Sequence, residues 1–285
     1  MSEIIGILGA GQMGSGIAQV AASSGFDVVL YDLAPAALSK AAQTISSSCD
    51  RLIKKEAMTA GQKDEILKRI KTTSEFGDLK NCGLAIEAVT EHEPVKLEIF
   101  KKLDATLNPS AILASNTSSI SITKIGSVTK RPAKVVGMHF MNPVPMMKLV
   151  EGIRGLATSD ETFKATKALA EKMSKTFVEA RDFPGFIVNR ILLPMINEAV
   201  FALHEGVASA SDIDTAMKLG TNQPMGPLQL ADFIGLDTCL SIMHVLHEGL
   251  GDSKYRPCPL LTKYVEAGWL GKKTGRGFYT YEGAK

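Results

Sequence analysis

Four polar residues stand in this chain where strands or helices ordinarily carry apolar side chains or end: Ser118 in "ASNTSSISI", His139 and Glu151 in "VVGMHFMNPVPMMKLVEG", and Asn189 in "PGFIVNRIL". As a set they fit proton transfer at a hydroxyl-bearing carbon. A hydride leaving such a carbon requires a base for the hydroxyl proton, and histidine, with an ordinary pKa of about 6.5, suits that task at neutral pH. A carboxylate on the far ring nitrogen fixes the tautomer and stabilises the imidazolium, a role Glu151 can fill. Ser118 and Asn189 could hold the reacting oxygen. Each residue also has an ordinary reading, since a lone histidine in a core strand is more often hydrogen-bonded scaffolding.

A second chemistry lies at the start of the chain. In "GILGAGQMGSGIAQVAASSG", Gly9, Gly11 and Gly14 follow an apolar run and open a helical pattern. The first glycine permits a tight turn, the second lets backbone approach a pyrophosphate, and the third allows close helix–strand packing. A further apolar run then ends in Asp32, 18 positions after Gly14, where a carboxylate can accept hydrogen bonds from the adenosine ribose. This is a dinucleotide site. Asp32 would repel a 2′-phosphate, and "DLAPAAL" offers no arginine beside it, so NAD is expected rather than NADP.

The elements that must position these residues alternate. Short apolar runs at 4–11, 27–32, 83–89, 111–118, 134–141 and 148–153 read as strands. Helical patterns lie between the earlier ones, such as 93–107 with Val95, Ile99, Leu103 and Leu107 on one face. Strand and helix in alternation imply a mainly parallel, doubly wound sheet covered on both faces. A helix over 158–176 starts with the capping-box spacing Thr158 to Glu161, and "TFVEARD" is a last strand. From "PGFIVNRILLPMINEAVFALHEG" onward the patterns are all helical. The expected organisation is an α/β domain over 1–183 and a helical domain over 184–285, the boundary falling between Phe183 and Pro184. In an open parallel sheet ligands bind beyond the carboxyl ends of the strands, where Ser118 and His139 fall, and Asn189 just past the boundary would make the cleft an interdomain one.

Composition excludes several classes. The net charge of +2, with acids and bases interspersed, offers no basic stripe for a nucleic acid. No apolar stretch approaches the roughly 18 to 20 residues of a membrane span. The start "MSEIIGILGAG" lacks the layout of a secretory signal, and a cytoplasmic protein is expected. Cys49, Cys82, Cys239 and Cys258 show no metal or redox spacing and are expected as reduced packing residues. His244 and His247 are spaced to share a metal with Glu248, but no further ligand cluster accompanies them, so no metal is expected. His92 and His204 read as surface or helix-end residues. The methionines of "MNPVPMMKL" read as a mixture of pocket lining and core, and Trp269 as interface packing.

With these residues in place, the chain resembles the 3-hydroxyacyl-CoA dehydrogenase family along essentially its whole length. The resemblance is carried by "GAGQMG", "ASNTSS", "GMHFMNPVPMMKLVE", "PGFIVNRIL", "DIDTAMKLG", "MGPLQLADFIGLD" and "GKKTGRGFYTY". It implies a Rossmann-type N-terminal domain and a helical C-terminal domain that forms a homodimer, with an acyl-CoA as substrate. The family's catalytic His–Glu pair falls on His139 and Glu151, and its substrate-holding serine and asparagine on Ser118 and Asn189. Its NAD contacts fall on the loop Gly9, Ala10, Gly11, Gln12, Met13 and Gly14, on Asp32, Glu91, Lys96 and Asn142, and on Lys273. Its coenzyme A contacts fall on Ser48, Lys55 and Ser118. The cations of "RLIKK" make physical sense as a dock for a phosphate, with a solvated basic face as the ordinary alternative. Met141 stands where many relatives carry a second aromatic, a change of pocket shape rather than chemistry.

Two rivals remain in view. Dehydrogenases of the 3-hydroxyisobutyrate or 6-phosphogluconate kind use a lysine base on the interdomain helix, whereas "GFIVNRILLPMINEAVFAL" contains none. A catalytically silent NAD-binding structural protein of the same fold would have no need of all four reacting-centre residues.

Overall fold

A computed structural model describes residues 4–281. The chain divides into two compact units, passing from the first to the second between Phe183 and Pro184. The outer ends of the two expected domains, 1–3 and 282–285, lie outside the described residues.

The first unit alternates as β1 (Ile4–Leu8), α1 (Gln12–Ser23), β2 (Asp27–Tyr31), α2 (Pro35–Lys54), α3 (Ala60–Lys68), β3 (Ile70–Thr73), β4 (Leu84–Glu87), α4 (Glu93–Thr106), β5 (Ile112–Ser115), α5 (Ile122–Ser127), β6 (Val135–Phe140), β7 (Leu149–Arg154), α6 (Asp160–Lys172) and β8 (Thr176–Arg181). The eight strands form one sheet in the order β3-β2-β1-β4-β5-β6-β7-β8. Every neighbouring pair is parallel except β6 with β7, which is antiparallel. The central strands are buried along their length, so they read as unbroken apolar runs rather than alternating ones, as helices on both faces require. Strand order reverses between β1 and β4, and the glycine loop leaves β1 at that switch point.

The structure adds one strand and corrects three local expectations. The strand β3 has an exposed, polar sequence, IKTT, with no apolar run to announce it; it is an edge strand held by pairing to β2. Helix α6 is capped by Ser159, whose hydroxyl accepts from the Thr162 N–H, and not by Thr158. The Thr158 hydroxyl is spent on the Val135 carbonyl and the Gly155 N–H, fastening the loop to β6. The buried face of α4 carries Lys96, Phe100 and Leu103, while Val95 is 40% exposed and Ile99 lines a cavity with it. The expected stripe thus divides: Val95 and Ile99 line the cavity, while Leu103 and Leu107 are buried. Met146 and Met147 are exposed, and Val144 is the residue of that turn which enters the core.

The second unit is helical: α7 (Val188–His204), α8 (Ala210–Gly220), α9 (Pro227–Ile234), α10 (Leu236–Leu250) and α11 (Pro259–Glu266). Leu193, Ile196, Val200, Leu228, Met243, Leu246 and Leu261 form its core. Two buried aspartates close it. Asp214 accepts from the first-turn N–H groups of Leu228 and Gln229 and from the Tyr279 hydroxyl; Asp232 accepts from the N–H groups of Phe278 and Tyr279 and from the Tyr281 hydroxyl. Trp269 packs within this unit, edge-on to Tyr264 and under the Arg276 guanidinium. Among the described residues no single helix is long and apolar enough to cross a membrane; α9 and α10 pass that test only as a pair bent by 99°.

Candidate active site

The phosphate loop is built as its glycines require. Gly9 takes a φ of +102°, and a Cβ there would lie 2.6 Å from the Ala88 carbonyl oxygen. At Gly14 a Cβ would lie 1.7 Å from the Gly9 oxygen, so only glycine lets α1 start this close to the loop. A Cβ at Gly11 would meet nothing within 4 Å, which leaves backbone exposed to open space. Gly11 is also the N-cap of α1, and no side chain caps the helix, so its first N–H groups and positive dipole end face that space. A phosphate fits there. Gly14→Ala is accordingly expected to weaken NADH binding by about tenfold or more through displacement of the loop, read by fluorescence titration.

A cavity of about 590 Å³ adjoins the loop, walled by Gly9, Gly11, Tyr31, Asp32, Leu33, Val95 and Ile99. Its wall is mostly apolar, with Gln12, Asp32, Thr90 and Lys102 as polar members. Asp32 follows β2 directly; its Oδ2 accepts the Ala10 N–H at 2.7 Å and its Oδ1 the Ala34 N–H at 2.9 Å. The carboxylate therefore holds the glycine loop in shape as well as facing the cavity. Gln12, at the start of α1, donates from Nε2 to Asn142 Oδ1 at 3.1 Å, joining that loop to the turn after β6.

On the other side of the sheet's centre, His139 and Glu151 are directly opposite partners in the antiparallel β6–β7 pair. Opposite residues of such a pair project to the same face, so register alone brings the two side chains together. His139 Nδ1 donates to Glu151 Oε2 at 2.6 Å, and both residues are buried. Since a carboxylate only accepts, this bond places a proton on Nδ1. The turn between the strands, which includes a cis Asn142–Pro143 bond, reverses the chain.

Ser118 lies three residues beyond β5 in a loop held by Glu91. Glu91 Oε1 accepts from the N–H groups of Ser118 and Ser119, from their hydroxyls and from the Thr117 hydroxyl. Burial pushes the Glu91 carboxyl up, but the Lys96 ammonium and the hydrogen bonds from Thr117, Ser119 and Ser118 outweigh this and hold it below the ordinary glutamate value. Lys96 is 1% exposed and bridges Glu91 at 3.2 Å and the fully buried Glu87 at 2.6 Å. Glu87 also accepts from the Ser115 hydroxyl and the Val89 N–H. In this arrangement Glu91 and Lys96 organise the serine loop.

Two further residues help to hold these clusters. Glu87 carried the same signal as His139, a lone charge in the apolar run "GLAIEAV". Asn116, whose Oδ1 accepts the Phe140 N–H beside His139, carried none.

The remaining expected site residues are carried by other elements. Ser48 is on α2 and the exposed Lys55 caps its end, seven residues on and so about two turns along the same side, with exposed Arg51 and Lys54 between them. Asn189, in the first turn of α7, and Lys273 belong to the second unit. Asn189 is 9% exposed, and the Lys273 ammonium is held by both carboxylate oxygens of Asp237 at 2.6 Å. Among the described residues no group of three metal-binding side chains occurs, and all four cysteines are buried free thiols.

Comparison with known proteins gives the family. The family model described as "3-hydroxyacyl-CoA dehydrogenase, NAD binding domain" matches residues 4–183, and that for the "C-terminal domain" of the same family matches 185–281. A 3-hydroxybutyryl-CoA dehydrogenase of Bradyrhizobium diazoefficiens is 59% identical over 99% of this chain and 96% of its own. The human mitochondrial hydroxyacyl-coenzyme A dehydrogenase is 43% identical over 97% and 90%. The crystal structure of (S)-3-hydroxybutyryl-CoA dehydrogenase from Ralstonia eutropha superposes with a TM-score of 0.96 at 52% identity, covering 99% of this chain and 100% of that one. With both family domains matched and the curated relatives aligned end to end, the chain belongs to the 3-hydroxyacyl-CoA dehydrogenase family.

Proposed function

We propose that this protein interconverts a short-chain 3-hydroxyacyl-CoA and its 3-ketoacyl-CoA with NAD, the pair 3-hydroxybutyryl-CoA and acetoacetyl-CoA being its substrates. Family membership makes it a nicotinamide-dependent dehydrogenase. The observation that carries the mechanism is the His139–Glu151 pair, set face to face by register and buried together.

When bound, the nicotinamide ring supplies the acceptor for the hydride that leaves C3 during oxidation and the donor during reduction. The chain's own residues handle the proton. With Nδ1 committed to Glu151, exchange falls to His139 Nε2, which takes the 3-hydroxyl proton in oxidation and returns one to the oxygen in reduction. Glu151 stabilises the imidazolium as it forms. Ser118, held by Glu91, and Asn189 hold the substrate oxygen in this reading, the role of Asn189 resting on the family resemblance. The phosphate loop, Asp32 and Asn142 hold the cofactor. Asp32 disfavours a 2′-phosphate by charge, which makes NAD the preferred form. The basic end of α2, with Ser48 and Lys55, receives the coenzyme A.

The protein acts as a cytoplasmic homodimer on this reading. Exposed apolar side chains of the second unit, Ile191, Val207, Leu219 and Phe233, are surface that self-association would cover, and four free thiols suit a reducing compartment.

The test is the initial rate of NADH oxidation with acetoacetyl-CoA, beside free acetoacetate and beside NADPH. Turnover that requires both NADH and the CoA moiety is the expected result. A folded protein that binds NADH and leaves acetoacetyl-CoA unreduced would favour a catalytically silent binding protein instead.

A further inference from the structure

The turn that joins the strand of His139 to the strand of Glu151 has few bonds of its own. Its two prolines donate no backbone N–H. The N–H groups of Met146 and Met147 both go to the Pro143 carbonyl. Two further carbonyls, those of Val144 and Met147, converge on one buried cation: Lys175 Nζ donates to them at 2.6 and 2.7 Å. Lys175 is 7% exposed, and burial pushes its pKa down. It is delivered beneath the turn from the end of α6, where Ser174 takes a left-handed φ of +57° and the Lys175 N–H bonds back to the Ala170 carbonyl.

The turn's opposite side rests on the cofactor helix. Val144 is 2% exposed, and a Cβ on Gly16 of α1 would lie 2.9 Å from the Val144 Cβ. Asn142, at the head of the turn, bonds Gln12 at the start of the same helix. One short segment thus links the cofactor helix, the His139–Glu151 hairpin and a buried ammonium.

We propose that Lys175 is a positioning residue for the nicotinamide cofactor, clamping the 143–147 turn onto α1 so that Asn142 and Gln12 stay in place at the phosphate loop. The inference rests on the NAD reading above. Removing the ammonium leaves two inward carbonyls without their donor, and the turn is free to lift from α1.

Lys175→Met keeps the length of the side chain and removes its donors. It is expected to weaken NADH about tenfold, in Kd by fluorescence titration and in KM, while kcat and the KM for acetoacetyl-CoA stay within about threefold of wild type. Met173→Ala, which opens a cavity two residues away, serves as the control for simple destabilisation and should keep wild-type NADH affinity at a comparably lowered Tm. An NADH Kd for Lys175→Met within twofold of wild type would overturn the proposal, as would an equal weakening in Met173→Ala. Should Lys175→Met not fold, Lys175→Gln is judged by the same thresholds. Wild type that binds NADH but does not reduce acetoacetyl-CoA overturns the reaction proposed above and leaves the titration readable; wild type that binds no NADH overturns both.

Discussion

Replacing His139 with glutamine is expected to lower the rate of NADH oxidation with acetoacetyl-CoA by about 10²- to 10⁴-fold, the usual contribution of a positioned general acid or base. Glutamine fits the space and can donate an amide N–H to Glu151, so the hairpin and its register should survive. What it cannot do is exchange a proton with the substrate oxygen. Met138 and Phe140, its neighbours in the strand, pack into the core and hold the strand in either protein. NADH affinity should therefore stay within about twofold of wild type, so that the loss lies in kcat. Near-normal turnover in a folded His139→Gln protein would reduce the histidine to scaffolding.

Lys96→Met is expected to cost about 3–5 kcal/mol of stability, measured as a fall in the denaturation midpoint, because it strands the fully buried Glu87 carboxylate. Glu87 would keep the Ser115 hydroxyl and the Val89 N–H but lose its ion-pair partner, at 2.6 Å. The double variant Glu87→Gln with Lys96→Met removes the stranded charge and should recover part of that loss, the signature of a coupled pair. Activity should suffer with stability, since Lys96 also steadies Glu91, which carries the loop of Ser118. A Lys96→Met protein as stable as wild type would show that water or local relaxation solvates Glu87 instead.

Features whose physics is local are legible in the order of the amino acids. Three glycines, an apolar run before them and Asp32 after them are enough to announce a phosphate loop, because turn geometry and helix starts depend on residues only a few positions apart. His139 was legible as an anomaly, a titratable ring in a buried strand, and the change from alternating to purely helical pattern marked where the second unit starts. Its partner Glu151 was legible as a carboxylate on the next strand.

Tertiary structure decided what depends on register and on crossovers. That Glu151 faces His139 directly follows from the antiparallel pairing of β6 and β7, and a slip of one residue would send the two side chains to opposite faces. Glu91 reaches the serine loop 26 to 28 residues on only because β4 and β5 lie side by side in the sheet, which also brings Ser115 to Glu87. Lys175 meets the 143–147 turn from 28 and 31 positions away, across the end of α6. A buried cation looks in sequence like any lysine near a helix end. Burial and partner are properties of the packed chain, and α4 shows the same: its periodicity places Val95, Ile99, Leu103 and Leu107 on one face, and the fold buries the last two and turns the first two toward a cavity.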